Sequence, residues 1–181
     1  MSVFENLISR QPIERGWSAD RKFRALDGDG RAYFLRTSPE KQYESRKLQF
    51  AHMEKVRVLG VRVCEPVEFG ICPEGCYTLL GWVDGRDAEA VLPELTGEER
   101  YTYGLEAGRM LRTIHTVPAP FPGEPWAVHY GRKLDAKVAL YENCPLKYEK
   151  GELFLELLRR ERHLIENRPT VWHHGDFHCG N

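Results

Sequence analysis

Apolar and polar positions change their rhythm near residue 80. Before it, Lys22-Phe-Arg-Ala-Leu26 and Arg31-Ala-Tyr-Phe-Leu-Arg36 read as strands, and Asp27-Gly-Asp-Gly30 between them is strong turn chemistry, so the pair predicts a β-hairpin. Ser38-Pro39 then offers an N-cap and a first-turn proline. Leu48, Phe50, Ala51 and Met53 extend an apolar helical stripe to about Leu59, where Gly60 is a stop. Two more strands are expected over 61–69 and 76–82, joined by the turn Cys72-Pro-Glu-Gly-Cys76.

Beyond Asp84-Gly85 the pattern becomes helical. Thr96-Gly-Glu-Glu99 is a capping box, and Tyr101, Leu105, Gly108, Leu111 and Ile114 mark one helix face, read as core, up to His115. Four prolines between 118 and 125 make that stretch a loop. Leu153, Leu157, Leu158, Leu164 and Ile165 fit the 3.6 period of another helix over 151–167. The organisation predicted is α+β: an antiparallel-sheet N-lobe over 1–80, a connector at 81–85, and a helical lobe over 86–181. A cleft between two such lobes is a common place for a small molecule.

Charge changes this picture little. The 26 basic and 27 acidic residues nearly cancel, so composition gives no support for a dominant nucleic-acid or membrane surface. No signal-peptide pattern opens the chain and no segment approaches a spanning helix, which points to the cytoplasm. Five cysteines without a secretion signal argue against a disulfide framework. Cys72 and Cys76 read as reduced thiols flanking a turn.

The chemistry concentrates in Trp172-His-His-Gly-Asp-Phe-His-Cys-Gly-Asn181. Three readings fit it. It is a polar loop whose side chains hydrogen-bond one another, or a metal site built from His, Asp and Cys, or a phosphoryl-transfer loop. The last needs a carboxylate to accept the proton of the attacking hydroxyl, and an oxygen ligand for Mg²⁺ a few residues on. Asp176 and Asn181 stand five positions apart, the spacing of the kinase catalytic loop.

At this point the sequence resembles the aminoglycoside-phosphotransferase-like, or choline-kinase-like, small-molecule kinases. Their signature His-Gly-Asp-x-His-x-x-Asn is present as His174-Gly175-Asp176-Phe177-His178-Cys179-Gly180-Asn181. The resemblance implies a protein kinase-like fold with ATP and Mg²⁺ as cofactors and a small-molecule hydroxyl as acceptor. It makes Asp176 the base and Asn181 a Mg²⁺ ligand, with His174 and His178 bracing the loop. The stretch Gly16–Asp20, with Ser18 inside it, falls where a loop covering the nucleotide phosphates belongs. Arg36 stands where kinases carry a lysine; it keeps the charge but has a longer, forked head. Its acidic partner is expected on the next helix, Glu44 being best placed and Glu40 and Glu54 its rivals. By the same likeness Tyr77-Thr-Leu-Leu-Gly-Trp-Val-Asp-Gly85 is a hinge whose Gly81 C=O and Val83 N–H read adenine, although a buried strand ending in a turn fits the same letters.

Members of that family continue past this loop with a further metal-binding aspartate and more helices. The resemblance therefore implies a C-terminally truncated, impaired kinase that pairs as a homodimer through exposed helical-lobe surface, or a non-catalytic nucleotide-binding fragment. Antibiotic, sugar and amino-alcohol kinases share the motif, so the acceptor stays open.

Overall fold

The structure, a computed structural model, describes residues 2–14, 19–119 and 123–180. Five antiparallel strands, β1 (Leu7–Pro12), β2 (Arg21–Asp27), β3 (Ala32–Ser38), β4 (Pro66–Cys72) and β5 (Gly75–Gly81), form one sheet in the order β1-β2-β3-β5-β4. Helices α1 (Tyr43–Val58), α2 (Ala88–Val91), α3 (Gly97–Ile114), α4 (Trp126–Glu142) and α5 (Gly151–Arg160) complete an α+β chain. It falls into two compact units, one of residues 1–114 with 174–181, the other of 115–173.

The expected hairpin is β2–β3. Asp27 closes it, its carboxylate accepting the Asp29 and Arg31 N–H groups and the Tyr33 hydroxyl, while Gly30 takes the left-handed φ of +80°. Period-2 alternation then sends Phe23, Ala25, Tyr33, Leu35, Tyr77 and Leu79 to one face, where they form the buried core with Cys72. The chain's first residues cover that face: Val3, Phe4 and Leu7 pack on it, and Phe4 stacks on Tyr77 with ring centroids 3.8 Å apart.

Glu68 ties this segment down. One carboxylate oxygen accepts the Ser2 hydroxyl at 2.6 Å and the Tyr77 hydroxyl at 2.9 Å. The other accepts the N–H groups of Val3 and Phe4 at 2.7 and 3.0 Å. Partial burial opposes the charge of Glu68, but these hydrogen bonds outweigh it and hold its carboxyl below the usual range. A lowered folded-state pKa contributes stability present above the unfolded value of about 4.3 and lost as pH falls through the folded one. Glu68→Gln is therefore expected to cost about 1–3 kcal/mol at neutral pH. The deficit shrinks in acid, which urea melts at several pH values would read; a gap constant with pH would remove the carboxylate from the account.

The opposite face receives α1, whose Tyr43 and Phe50 meet Phe69 with ring centroids 5.2 and 6.0 Å away, and whose Val56 is buried. Several expectations change here. Ser38 does not cap a helix: it ends β3 opposite Cys76, and the chain makes a short 3₁₀ turn over Glu40–Gln42 before α1 begins at Tyr43. The strand expected over 61–69 starts only at Pro66, because the preceding residues are spent on the turn out of α1, where Gly60 takes φ +82°. Strand β1 was not foreseen. It is an edge strand with exposed side chains after Leu7, so it lacks the alternation that a half-buried strand shows.

Among the helices, the capping box at α3 forms as expected, Thr96 N–H donating to Glu99 at 2.8 Å and Glu99 N–H to the Thr96 hydroxyl at 3.3 Å. The apolar stripe behind it is not core: only Ile114 is buried in α3, and Tyr101 and Leu105 are exposed. In the second unit, helix α4 was not expected, and the helix predicted over 151–167 gives way at Glu161 to a 3₁₀ turn. Leu155 is buried, whereas Leu153, Leu157 and Leu158 of α5 are exposed. Arg162 joins the turn to α4 through Asp135, at 2.8 Å. No helix among the described residues is long and apolar enough to cross a membrane.

Candidate functional site

Candidate residues lie in two places, the α1 side of the sheet and the loop 174–180. On the sheet, register decides which side chains stand together. Lys22 is directly opposite Arg36, Arg24 opposite Phe34, Phe34 opposite Leu80 and Arg36 opposite Thr78. Opposite residues share a face, so Lys22, Arg24 and Arg36 make a basic patch beside the apolar Phe34 and Leu80. Arg24 lies over the Trp82 ring, 5.3 Å from its centroid, and Arg36 over Phe34 at 5.9 Å.

Arg36 is drawn inward. Burial first, then the charge of Arg46, pull its guanidinium below its usual value, against the attraction of Asp20. The acid near it is Asp20 at 3.9 Å, with its side chain almost wholly buried. Among the described residues no ion pair joins Arg36 to Glu44, which instead lines a shallow depression with Tyr43, Ile71 and Pro73. The residue of α1 that reaches toward this point is Arg46, 2.6 Å from the same Asp20 carboxylate.

At the end of β5, Gly81 N–H donates to the Glu65 carbonyl at 2.7 Å and Trp82 N–H to the Ala32 carbonyl at 3.2 Å. Trp82 is held further by its indole N–H, which donates to Asp84. Val83 follows with an exposed side chain. Gly81, Trp82 and Val83 border a cavity of about 540 Å³ together with Arg31, Arg57 and Val61.

In the loop, Gly175 takes φ +82°, a conformation that suits glycine between His174 and Asp176. The Gly180 N–H donates to His178 Nδ1 at 3.0 Å, which places the ring proton on Nε2, the nitrogen 3.5 Å from Asp176 Oδ1. His178 thus faces Asp176 with a donor. His174 stands edge-on to Phe177, centroids 5.4 Å apart. The Asp176 carboxylate is 74% exposed. Ser18 and Asn181 lie outside the described residues. Among the described residues no three metal-ligating groups of the His, Cys, Asp and Glu type cluster, and all five cysteines are free.

Asp20 and Arg46 are the residues that sequence reasoning passed over. A sequence signal for Asp20 existed in its position at the end of the expected phosphate loop. Arg46 had none, because it lies on α1 among other charged residues.

A family model described as "Phosphotransferase enzyme family" matches residues 9–181. Among solved structures, a type VIII aminoglycoside-3'-phosphotransferase superposes with a TM-score of 0.57 at 20% identity, over 97% of this chain and 65% of that one. Aminoglycoside phosphotransferase APH(3'')-Id from Streptomyces rimosus ATCC10970 gives 0.55 at 19% identity, over 95% and 64%. Its complex with ADP and streptomycin gives 0.51 at 16%, over 86% and 56%. The chain thus spans just under two thirds of these neighbours' length, and at such identities the likeness is one of fold. No curated protein sequence matches significantly.

Proposed function

The chain belongs to the phosphotransferase enzyme family, and on that premise we propose that it binds ATP on the basic face of its sheet and serves phosphoryl transfer to a small-molecule hydroxyl. The observation that carries this reading is the sheet face itself. Lys22 and Arg36 face each other across the ladder with Arg24 beside them, so three cationic side chains share one face, the charge and donor chemistry that suits a polyphosphate. Phe34, Leu80 and Trp82 at the other end supply flat and apolar surface for a base. In this assignment Arg36 clamps phosphate, and Gly81 C=O and Val83 N–H read the adenine edge; Gly81 and Trp82 N–H groups are already engaged in the fold, which leaves Val83 next in line. Ser18 belongs to the loop over the phosphates.

Asp176 accepts the proton of the acceptor hydroxyl as its oxygen attacks the terminal phosphorus and the bond to the ADP oxygen breaks. His178, donating from Nε2, keeps the Asp176 carboxylate oriented, and His174 packs the loop against Phe177. The side-chain oxygen of Asn181 suits a hard cation, and Asn181 is assigned as ligand of Mg²⁺, which when bound neutralises phosphate charge. Streptomycin and ADP in the Streptomyces rimosus neighbour support an adenine nucleotide and an amino-sugar-like or amino-alcohol acceptor. The cytoplasm, which supplies ATP and keeps thiols reduced, is the compartment assigned.

Arg36→Gln is the direct test. Losing one charge-assisted phosphate contact is expected to weaken Mg·ADP binding about 10- to 100-fold. Calorimetric titration measures it, and an unchanged affinity would take the sheet face out of the site.

A further inference from the structure

We propose that Asp20 is the positioning residue for Arg36, and that Asp20, Arg36 and Arg46 form a buried carboxylate with two guanidinium groups that presents Arg36 to polyphosphate. It rests on the reading of Arg36 as the phosphate clamp and names what sets that clamp. The acid comes from the entry to β2, and α1 contributes a second cation.

The geometry is specific. Asp20 Oδ2 accepts Arg46 Nη2 at 2.6 Å, and Arg36 Nε lies 3.9 Å from the same oxygen. The Arg46 head is held elsewhere too: Nε donates to the Ser38 hydroxyl at 3.3 Å, and the Gln42 and Gln49 side-chain carbonyls each accept from it at 2.7 Å. Arg46 is thus a partner fixed by hydrogen bonds from all three of its nitrogens. Arg36 is not. Among the described residues, neither its buried Nε nor the buried Asp20 Oδ1 has a hydrogen-bond partner.

An ordinary structural ion pair explains Asp20 with Arg46, and stops there. It does not explain why a second guanidinium sits against the same carboxylate with its Nε unsatisfied, on the face that also carries Lys22. Buried polar atoms without partners are uncommon and mark places held ready for a ligand or a small movement. Two arginines on one carboxylate leave a net positive charge with little water to screen it, and a phosphate is the group whose binding neutralises it. Asp20 keeps the Arg36 fork from collapsing onto other acceptors, while its single charge cannot neutralise both cations. A helix carboxylate at the position of Arg46 would have left the three groups with a net negative charge, which repels phosphate.

The test uses the 181-residue chain and three probes: Mg·ADP, inorganic tripolyphosphate and adenosine. Asp20→Asn is expected to weaken Mg·ADP and tripolyphosphate by 10-fold or more and to leave adenosine within 2-fold. In an Arg36→Gln background Asp20→Asn should add less than 2-fold, because a positioning residue has nothing left to position. Should Asp20→Asn alone fail to fold with Arg46 left unpaired, Asp20→Asn with Arg46→Gln removes the pair together and is read the same way, by comparison with and without Arg36→Gln. An equal loss in both backgrounds, a loss shared by adenosine, or full affinity in Asp20→Asn overturns the inference. So does finding the coupling to Arg36 at Glu44→Gln instead. If Arg36→Gln leaves Mg·ADP affinity unchanged, or the chain binds none of the probes, the clamp reading falls and this one with it. If Arg36→Gln weakens binding and Asp20→Asn does not, only the role of Asp20 falls.

Discussion

Replacing Asp176 by Asn is expected to lower phosphoryl transfer by about 10²- to 10⁴-fold while leaving the affinity for Mg·ADP within about 2-fold. The amide keeps the size of the side chain, and its carbonyl oxygen can still face the His178 Nε2–H as an acceptor. What it loses is basicity, so the acceptor hydroxyl keeps its proton at the moment of attack. Because the base touches the acceptor and not the nucleotide, the loss should appear in kcat. Single-turnover measurements with ATP and a panel of amino-sugar and amino-alcohol acceptors separate chemistry from product release. A variant that turns over at the parental rate would show that proton transfer is not carried by this carboxylate.

The second large effect is structural. Gly75 opens β5 with φ +127°, where a side chain is strained, and a Cβ there would lie 2.4 Å from the Glu40 nitrogen and 2.5 Å from the Ser38 carbonyl oxygen. Neither atom can move without shifting the junction between β3 and α1. Gly75→Ala is expected to cost roughly 3 kcal/mol or more, by backbone strain plus the contact. For a chain of this size that lowers the thermal midpoint by on the order of 10 °C. An equal substitution at Gly28, where a Cβ would meet nothing within 4 Å, is the control. Equal midpoints for the two variants would refute the backbone path drawn at the β4–β5 turn.

The parts of the fold legible in the sequence were those set by local chemistry. The Asp27–Gly30 turn, the capping box at Thr96 and the stop at Gly60 each depend on neighbours a few residues away, and each is found where expected. Misjudged elements depended on what lies across from them. The stripe through Tyr101 and Leu105 has the period of a packed helix, but periodicity says which residues share a face and not whether anything covers it. Helix α4 follows a proline-rich stretch of sequence whose helix breakers stand out, although Tyr130, Leu134, Val138 and Tyr141 recur at helical spacing. The site divides in the same way. The five fixed letters of the loop, His174, Gly175, Asp176, His178 and Asn181, fall within one short stretch, so their order and spacing could be read along the chain. The company of Arg36 is made by approach across the sheet and from α1, and a one-dimensional reading preferred Glu44, a carboxylate on the expected helix, over an aspartate from the opposite direction.

The tie between Glu68 and residues 2–4 bears on the order in which the protein is assembled. Ser2 and its acceptor are 66 positions apart. At a synthesis rate of about 5–20 residues per second, roughly 3 to 13 s pass between making one and making the other. The β2–β3 hairpin can pair within that interval, but the partner surface of Phe4, the Tyr77 ring, is made later still. The segment that covers the core is therefore made well before the surface it docks on, and until then Phe4 is an apolar side chain that a nascent-chain chaperone can hold.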